Sequence, residues 1–444
     1  MTKKTVGTPW QQSAAVAILL ICGFVYAARG YYQQQRDLHS YDFKTIYAST
    51  RCLMKGCDPY DSQQIFRIFL EAGGTSDDLR PFRPHEPVYL PSALAMVAPF
   101  ALLPWGPAHL LWLAVSTGTF LLGVALISRL CLSISALCSS FAIGFLLISS
   151  AQLVMLAQPV QLAVGLCAIA VWCMLERRYA CAGILCFAVA LVFKPHVTGL
   201  VWLYFLISGG DYRKNAFRIL IATVLISLPG FLWASAAPAS SHWMREIPAN
   251  LSALSAPGMT NDPGPLNPDV HYLANLQTVT SVFRDDPHFY NGLTYALGAA
   301  LAVLWLVPVF TMCPSRERDY LALASIVCIS FLPTYHRSYD TCLLLLVFPA
   351  FALLTSRGQR FRWWKLAFTL ISIVLLKEVW AQFAIHRLAP FLAGTGSLQA
   401  WQTVLLLRPA AIGCSLLAVF YLASFYAAMV RERRAVRELA PVAV

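Results

Sequence analysis

The sequence has few charged residues. Asp, Glu, Lys and Arg together account for 12% of its 444 residues, whereas soluble proteins carry about 25%. Hydrophobic residues account for 58%, and they are grouped in runs long enough to cross a bilayer. This composition excludes a soluble globular protein. We therefore predict an all-α, polytopic membrane protein with roughly 10–13 membrane segments and one integral membrane domain over residues 1–444.

Motifs of soluble enzymes are also missing. The sequence has no Walker-type phosphate loop, no GxGxxG after a strand, no HExxH and no CxxC pair. ATP-driven transport and dinucleotide chemistry are therefore not expected. No metal site and no cofactor are predicted from the sequence.

Positive charge is concentrated beside the hydrophobic runs. The net charge is +12, and the basic clusters have the placement of cytoplasmic loops under the positive-inside rule. The charge thus indicates topology and contact with anionic lipids rather than nucleic-acid binding. Two long polar segments lack this excess and are expected outside, with both termini inside: loop one (residues 31–87) and loop two (about 237–290). The basic clusters are Lys3/Lys4, Arg177/Arg178, Arg213/Lys214/Arg218, Arg316/Arg318, Arg357/Arg360/Arg362/Lys365 and Arg431/Arg433/Arg434/Arg437.

Two hydrophobic runs are interrupted. The proline-rich piece 88–104 is predicted not to cross, because four full crossings between 88 and 175 would place Arg177 and Arg178 outside. The run 180–207 is broken at Lys194-Pro195-His196 and has basic clusters on both flanks. It predicts a hairpin of two short helices whose tip points into the bundle. One long helix kinked at the proline is the alternative.

Loop one contains the first candidate catalytic group. Asp42 lies close to the first membrane exit, and if Thr45–Leu53 is helical, Lys44, Tyr47 and Arg51 share one face. A carboxylate, two cations and a phenol at a bilayer surface could bind a phosphorylated lipid and take a proton from an acceptor hydroxyl. Alternatively, Asp42 caps a helix and the other residues are interfacial anchors.

Further polar groups are predicted to reach the same face. The corner Tyr335-His336-Arg337 suits a lipid phosphate, since Arg offers a bidentate fork and His a second donor; alternatively, Arg337 only snorkels to the headgroups. Lys194 is expected to point toward this corner from below. Gln158 and Gln161, beside the spans, could also contact donor or acceptor. Cys52 and Cys57 lie in loop one, and their spacing permits either a disulfide or a buried pair of free thiols.

The order of several short motifs resembles a known family. A first span is followed by Tyr41-Asp42-Phe43, then Tyr-Ala-x4-Leu-x-x-Gly from Tyr47 to Gly56, and Asp58-Pro-Tyr-Asp61. Together these are similar to GT-C glycosyltransferases, in particular to glycosyltransferase family 87, which includes α-mannosyltransferases that use polyprenyl phosphate mannose. Further matching motifs are Val88-Tyr89-Leu90-Pro91, Pro99-Phe100, Ala157-Gln158 (where the family usually has Gly-Gln), Glu176-Arg177-Arg178 through Lys194-Pro195, and Tyr335-His336-Arg337.

The resemblance implies an inverting transfer from a polyprenyl-phosphate sugar, with Asp42 as the general base and Lys194, His336 and Arg337 as donor or phosphate contacts. It does not identify the sugar. The chemistry of the residues adds Lys44 and Arg51 as candidate phosphate ligands and Tyr47 and Tyr335 as candidate contacts to donor or acceptor. We expect a hexosyltransferase, with mannose as the first candidate, that acts on a lipid or glycan acceptor at the outer face of the inner membrane. The alternatives are a transporter or flippase of lipid-linked envelope intermediates and a non-catalytic protein of envelope polysaccharide assembly.

Overall fold

The molecule is almost entirely helical. The computed structural model describes residues 8–37, 41–74, 87–357, 362–376, 380, 383–393 and 398–439, and these ranges contain no β-strand. The first ten helices are α1 Pro9–Asp37, α2 Tyr41–Lys55, α3 Ser62–Glu71, α4 Pro91–Ala101, α5 Trp105–Ser149, α6 Gln152–Met155, α7 Pro159–Glu176, α8 Ala180–Phe193, α9 Pro195–Ile207 and α10 Gly210–Ala236. The next are α11 Trp243–Leu254, α12 Gln277–Phe283, α13 Pro287–Thr311, α14 Arg316–Ser330, the 3₁₀ helix Ser338–Val347, α15 Phe348–Ser356 and α16 Arg362–Leu375. Short helices Ala384–Leu388, Ala389–Ala393 and Ala400–Leu407 then precede the last long helix, Pro409–Leu439.

Seven segments among the described residues are long and apolar enough to cross a membrane: Pro9–Gln35, Trp105–Met155, Pro159–Glu176, Gly210–Ala236, Pro287–Thr311, Ser338–Ser356 and Pro409–Val436. The second of these has 51 residues, sufficient for two crossings, and its backbone leaves the helical region at Ser135. Four shorter apolar helices accompany them: Pro91–Ala101, Ala180–Phe193, Pro195–Ile207 and Trp364–Leu375. The predicted all-α, polytopic fold is confirmed.

Helix α4 is too short to span a bilayer. Its 11 residues extend over roughly 16 Å, about half of a hydrocarbon core. The helix packs against α2 and α10, and the approach to α10 is close: a Cβ at Gly230 would lie 2.5 Å from the carbonyl oxygen of Pro91. The length of α4 agrees with the prediction that residues 88–104 do not cross.

Helices α8 and α9 form the predicted hairpin. The backbone between them is non-helical at Lys194, with φ −144° and ψ 70°. Ala180 at the start of α8 and Ser208 just after α9 line the same cavity of about 800 Å³. Both outer ends of the pair therefore lie on one side of the bundle, with Lys194 at the tip. A single long helix kinked at Pro195 would place these ends on opposite sides.

Loops one and two contact each other. Asn250 of α11 donates from Nδ2 to the carbonyl oxygens of Tyr60 at 3.1 Å and Pro87 at 3.0 Å. Farther along loop two, the backbone N–H of Ala274 donates to the carbonyl oxygen of His336 at 2.8 Å. Loop two is thereby tied both to loop one and to the corner that follows α14.

Candidate functional site

Four separate segments bring polar side chains to one place. We call this group the site cluster; it consists of Asp42 from the start of α2, Tyr89 from just before α4, Lys194 and His196 from the hairpin tip, and Tyr335, His336, Arg337 and Asp340 from the corner after α14.

Asp42 is held by the packing of its neighbour. It lies in the first turn of α2, and Phe43 is fully buried and stacked on Trp112 of α5, with ring centres 4.6 Å apart and planes 13° apart. The indole Nε1 of Trp112 donates to the carbonyl oxygen of Ala157 at 3.0 Å. These contacts fix the start of α2 against α5 and against the turn before α7, and they leave Asp42 half-buried.

Asp42 interacts electrostatically with Tyr89 and with the corner. Burial raises the pKa of Tyr89 well above its usual value, and Asp42 and Asp340 raise it further. The pKa of Tyr335 is also raised, first by burial and to a smaller extent by Asp42. Burial alone would lower the pKa of Arg337, but Tyr335 and other neighbours, including Asp42, outweigh it and raise that pKa. Asp42 therefore belongs to the same electrostatic environment as Arg337.

Lys194 enters the cluster from the hairpin tip. Its Nζ lies 5.6 Å from the ring centre of Tyr89, within cation–π range. The residue is half-buried and lies at the junction between α8 and α9, where its non-helical backbone lets the chain turn. The sequence prediction that Lys194 approaches the corner from within the bundle agrees with this geometry.

The corner is tightly bonded to its surroundings. His336 has no exposed surface, its Nε2 lies 3.2 Å from Oγ1 of Thr334, and its Nδ1 lies 3.6 Å from Oδ2 of Asp340. That carboxylate oxygen accepts the backbone N–H of Arg337 at 2.8 Å. The Arg337 side chain donates from Nε to the hydroxyl of Tyr335 at 2.6 Å and from Nη2 to the carbonyl oxygen of Thr260 at 3.0 Å. Arg337 thus joins the corner to loop two.

Several members of the cluster are at least partly accessible. The ring of His196 is 5.5 Å from that of the fully buried His336, yet His196 itself is exposed. Lys194, Arg337 and Asp42 are half-buried. A ligand could therefore reach these four residues, whereas His336 lies behind them.

Comparison of the sequence with known protein families identifies the family of this chain. The family description Glycosyltransferase family 87 matches residues 88–335, more than half of the chain. The chain belongs to glycosyltransferase family 87. Comparison with curated proteins and with solved structures gave no match. The family match includes Lys194 and Tyr335 of the site cluster, while Asp42 lies before it and His336 directly after it.

Three predicted site residues of this glycosyltransferase lie outside the site cluster: Lys44, Tyr47 and Arg51. They share one face of α2, as predicted, but that face packs against α3 and the end of α4. Lys44 is buried with Nζ 6.0 Å from the ring centre of Phe69, the Tyr47 hydroxyl donates to the carbonyl oxygen of Leu103 at 2.7 Å, and Nη1 of Arg51 donates to the same oxygen at 3.0 Å.

The position of Lys44 on the helix explains this difference. Two residues along a helix correspond to a rotation of about 200°, so Lys44 and Asp42 project from nearly opposite sides of α2. The structure therefore gives no support for Lys44 and Arg51 as donor ligands or for Tyr47 as a donor or acceptor contact. These side chains hold loop one onto the bundle.

Gln158 and Gln161 are both fully buried near the start of α7. Nε2 of Gln161 donates to Oγ1 of Thr117 at 3.0 Å. Neither polar atom of Gln158 has a hydrogen-bond partner among the described residues, and a buried amide without partners is costly. Ala157, in the place where the family usually has glycine, has a positive φ of 50°. A role for Gln158 in ligand binding stays a prediction.

Cys52 and Cys57 are joined by a disulfide in the structure, with Cα atoms 5.0 Å apart. The bond closes the turn that follows α2. Its place in loop one is structural, since the contacts of the site cluster come from Asp42 at the other end of the same helix.

Sequence reasoning missed three members of the site cluster. In the sequence, Tyr89 stands out only as part of a motif and His196 only as part of the hairpin tip, and Asp340 lies beyond the corner Tyr335-His336-Arg337. The usable signal for Asp340 was its spacing from His336, because residues four apart in a helical turn can meet. Nothing in the sequence links His196 to either residue, since 140 positions separate it from His336.

Proposed function

We propose that the protein transfers a hexose, with mannose as the first candidate, from a polyprenyl-phosphate sugar to an acceptor hydroxyl at the outer face of the inner membrane. The observation that carries this proposal is the convergence of Asp42 with Lys194 and Arg337, each of which is only half-buried. A glycosyltransferase that uses a lipid-phosphate donor needs one base for the acceptor and cations for the departing phosphate.

The reaction is an inverting displacement. Asp42 accepts the proton of the acceptor hydroxyl as its oxygen attacks the anomeric carbon of the sugar. The bond from that carbon to the phosphate oxygen breaks, and the electron pair leaves with the polyprenyl phosphate. Lys194 and Arg337 stabilise the negative charge that grows on this phosphate, because both cations are in place before the bond breaks.

The placement of His336 changes its part in this scheme. As a fully buried side chain, it does not face a donor directly, and the exposed His196 takes the position nearest to the ligand. His336 instead supports His196 and Asp340 from behind. Lys194 and Arg337 keep the donor-binding roles proposed for them.

The test is a transfer assay with purified full-length protein and a panel of polyprenyl-phosphate sugars. The proposal expects transfer from at least one donor, with polyprenyl phosphate as the second product. Transfer that occurs only from nucleotide sugars would contradict the lipid-phosphate donor. Product with retained anomeric configuration would contradict a single displacement.

A further inference from the structure

The strongest unexplained feature of the site cluster is a group of three metal-ligating side chains. His196, His336 and Asp340 each present a ligand atom, and these atoms lie within 4.8 Å of one another. They come from the hairpin tip and from the corner after α14, so the fold itself assembles the group. We propose that these three residues bind one divalent transition-metal ion, such as Zn²⁺ or Mn²⁺, next to the donor phosphate.

Two buried atoms in this group lack hydrogen-bond partners. They are Nδ1 of His336 and Oδ1 of Asp340, neither of which has a partner among the described residues. Both side chains are almost completely buried, at 0% and 2% exposed. A buried polar atom without a hydrogen-bond partner is destabilising. A metal ion would satisfy both residues at once.

The distances suit an ion after a small adjustment. Zn²⁺ lies about 2.0–2.2 Å from imidazole nitrogen and carboxylate oxygen, which places two ligands of one ion roughly 3–4 Å apart. Nδ1 of His336 and Oδ2 of Asp340 are 3.6 Å apart. The three ligand atoms lie within 4.8 Å of one another, and His196 is exposed, so its ring can move the remaining distance of about 1 Å without repacking the core. Two imidazoles and one carboxylate favour such ions over Mg²⁺ or Ca²⁺.

Three protein ligands leave a further coordination position open, as in catalytic metal sites. His196 is exposed, so that position lies on the accessible side of the group, where the donor phosphate would bind. The charge of the cluster supports the same arrangement. Asp42 and Asp340 balance Lys194 and Arg337, so a dication fits best together with the departing polyprenyl phosphate, which carries about two negative charges once the sugar has left. This part of the inference rests on the proposed function.

Direct metal binding tests the site without any transfer reaction. Full-length protein in detergent is stripped with a chelator and dialysed against Zn²⁺ or Mn²⁺, and bound metal is measured by mass spectrometry. We expect one equivalent bound by the wild type and an affinity at least about 10-fold lower for His196→Ala and Asp340→Asn. His288→Ala is the control, because His288 is an exposed histidine outside the cluster.

Several results would overturn the site. Wild-type protein that binds neither ion excludes it, and so does His196→Ala with unchanged affinity, which would mean adventitious binding to other cysteines or histidines. His196 is exposed, so its variant decides the matter even if Asp340→Asn does not fold. Because the dialysis contains no sugar donor, a failure of the proposed transfer reaction does not change this result. Active transfer by a protein that binds no metal would contradict the metal site and leave the proposed transfer reaction in place.

Discussion

Replacing Lys194 with methionine keeps most of the side-chain volume and removes the charge that we propose to bind the donor phosphate. A hydrogen bond to a charged group contributes about 1.5–3 kcal/mol, which corresponds to roughly 10- to 150-fold in affinity. Lys194 is half-buried, and partial solvent screening places the effect at the lower end. We therefore expect the KM for the polyprenyl-phosphate sugar to rise roughly 10-fold or more, with a decrease in kcat because the charge on the phosphate grows as it leaves.

The assay is initial-rate transfer over a range of donor concentrations, with expression level and thermal stability measured in parallel. Lys214→Met is the matched control, because Lys214 is 73% exposed and lines the cavity at the opposite end of the hairpin. Unchanged KM and kcat for Lys194→Met would refute the donor role. If that variant does not fold whereas Lys194→Arg folds and keeps a normal KM, the lysine belongs to a buried structural pair.

Three further predictions concern the loops. Cys52 and Cys57 should resist thiol labelling in intact cells until a reductant is added; labelling of both without reductant would mean that the pair is free. Between about pH 4.5 and 7 the unfolding free energy should fall as pH rises, because burial and the nearby Asp58 raise the pKa of Glu246 to about 7 and the folded state holds the proton more tightly. Thermal melts of Glu246→Gln should lose this part of the pH dependence. A wild-type stability independent of pH in that range would contradict the prediction. Topology tags in loops one and two should report outside, and tags placed beside Arg178, Lys214, Arg318 and Arg362 should report inside. An outside report from the basic clusters would reverse the assignment.

Much of the fold follows from the sequence because the membrane restricts the choice of structure. Long apolar runs can only be helices there, and a polar break flanked by basic clusters at 180–207 predicted the hairpin. The spacing of Lys44, Tyr47 and Arg51 indicates a shared face if Thr45–Leu53 is helical, and α2 contains that segment. The periodicity of α2 does not show what each face of the helix contacts. From the sequence, Lys44 and Arg51 are therefore assigned to ligand binding, whereas α3 and the end of α4 cover their face.

The composition of the site depends on distant contacts that spacing does not reveal. Asp42 and Lys194 were identified because each is a charge in an unusual place near an apolar run. His196 and Asp340 were overlooked because each looked like part of a turn. Only the packing of the hairpin tip against the corner after α14 brings them within reach of one another. That packing arises from buried surfaces on several helices and has no short sequence signature.

The central claim is that Asp42 is the catalytic base, and Asp42→Asn tests it most directly. Asparagine keeps the size and the hydrogen-bonding capacity but cannot take the proton, and loss of a general base costs on the order of 100- to 10,000-fold in rate. We expect Asp42→Asn to fold and to bind donor with near-normal affinity while its transfer rate falls by that factor. Asp37, the other carboxylate near the end of the first hydrophobic segment, is the nearest competitor for this role, and we expect Asp37→Asn to remain active. Near-normal turnover by Asp42→Asn would contradict the account, and together with an inactive Asp37→Asn it would assign the base to Asp37.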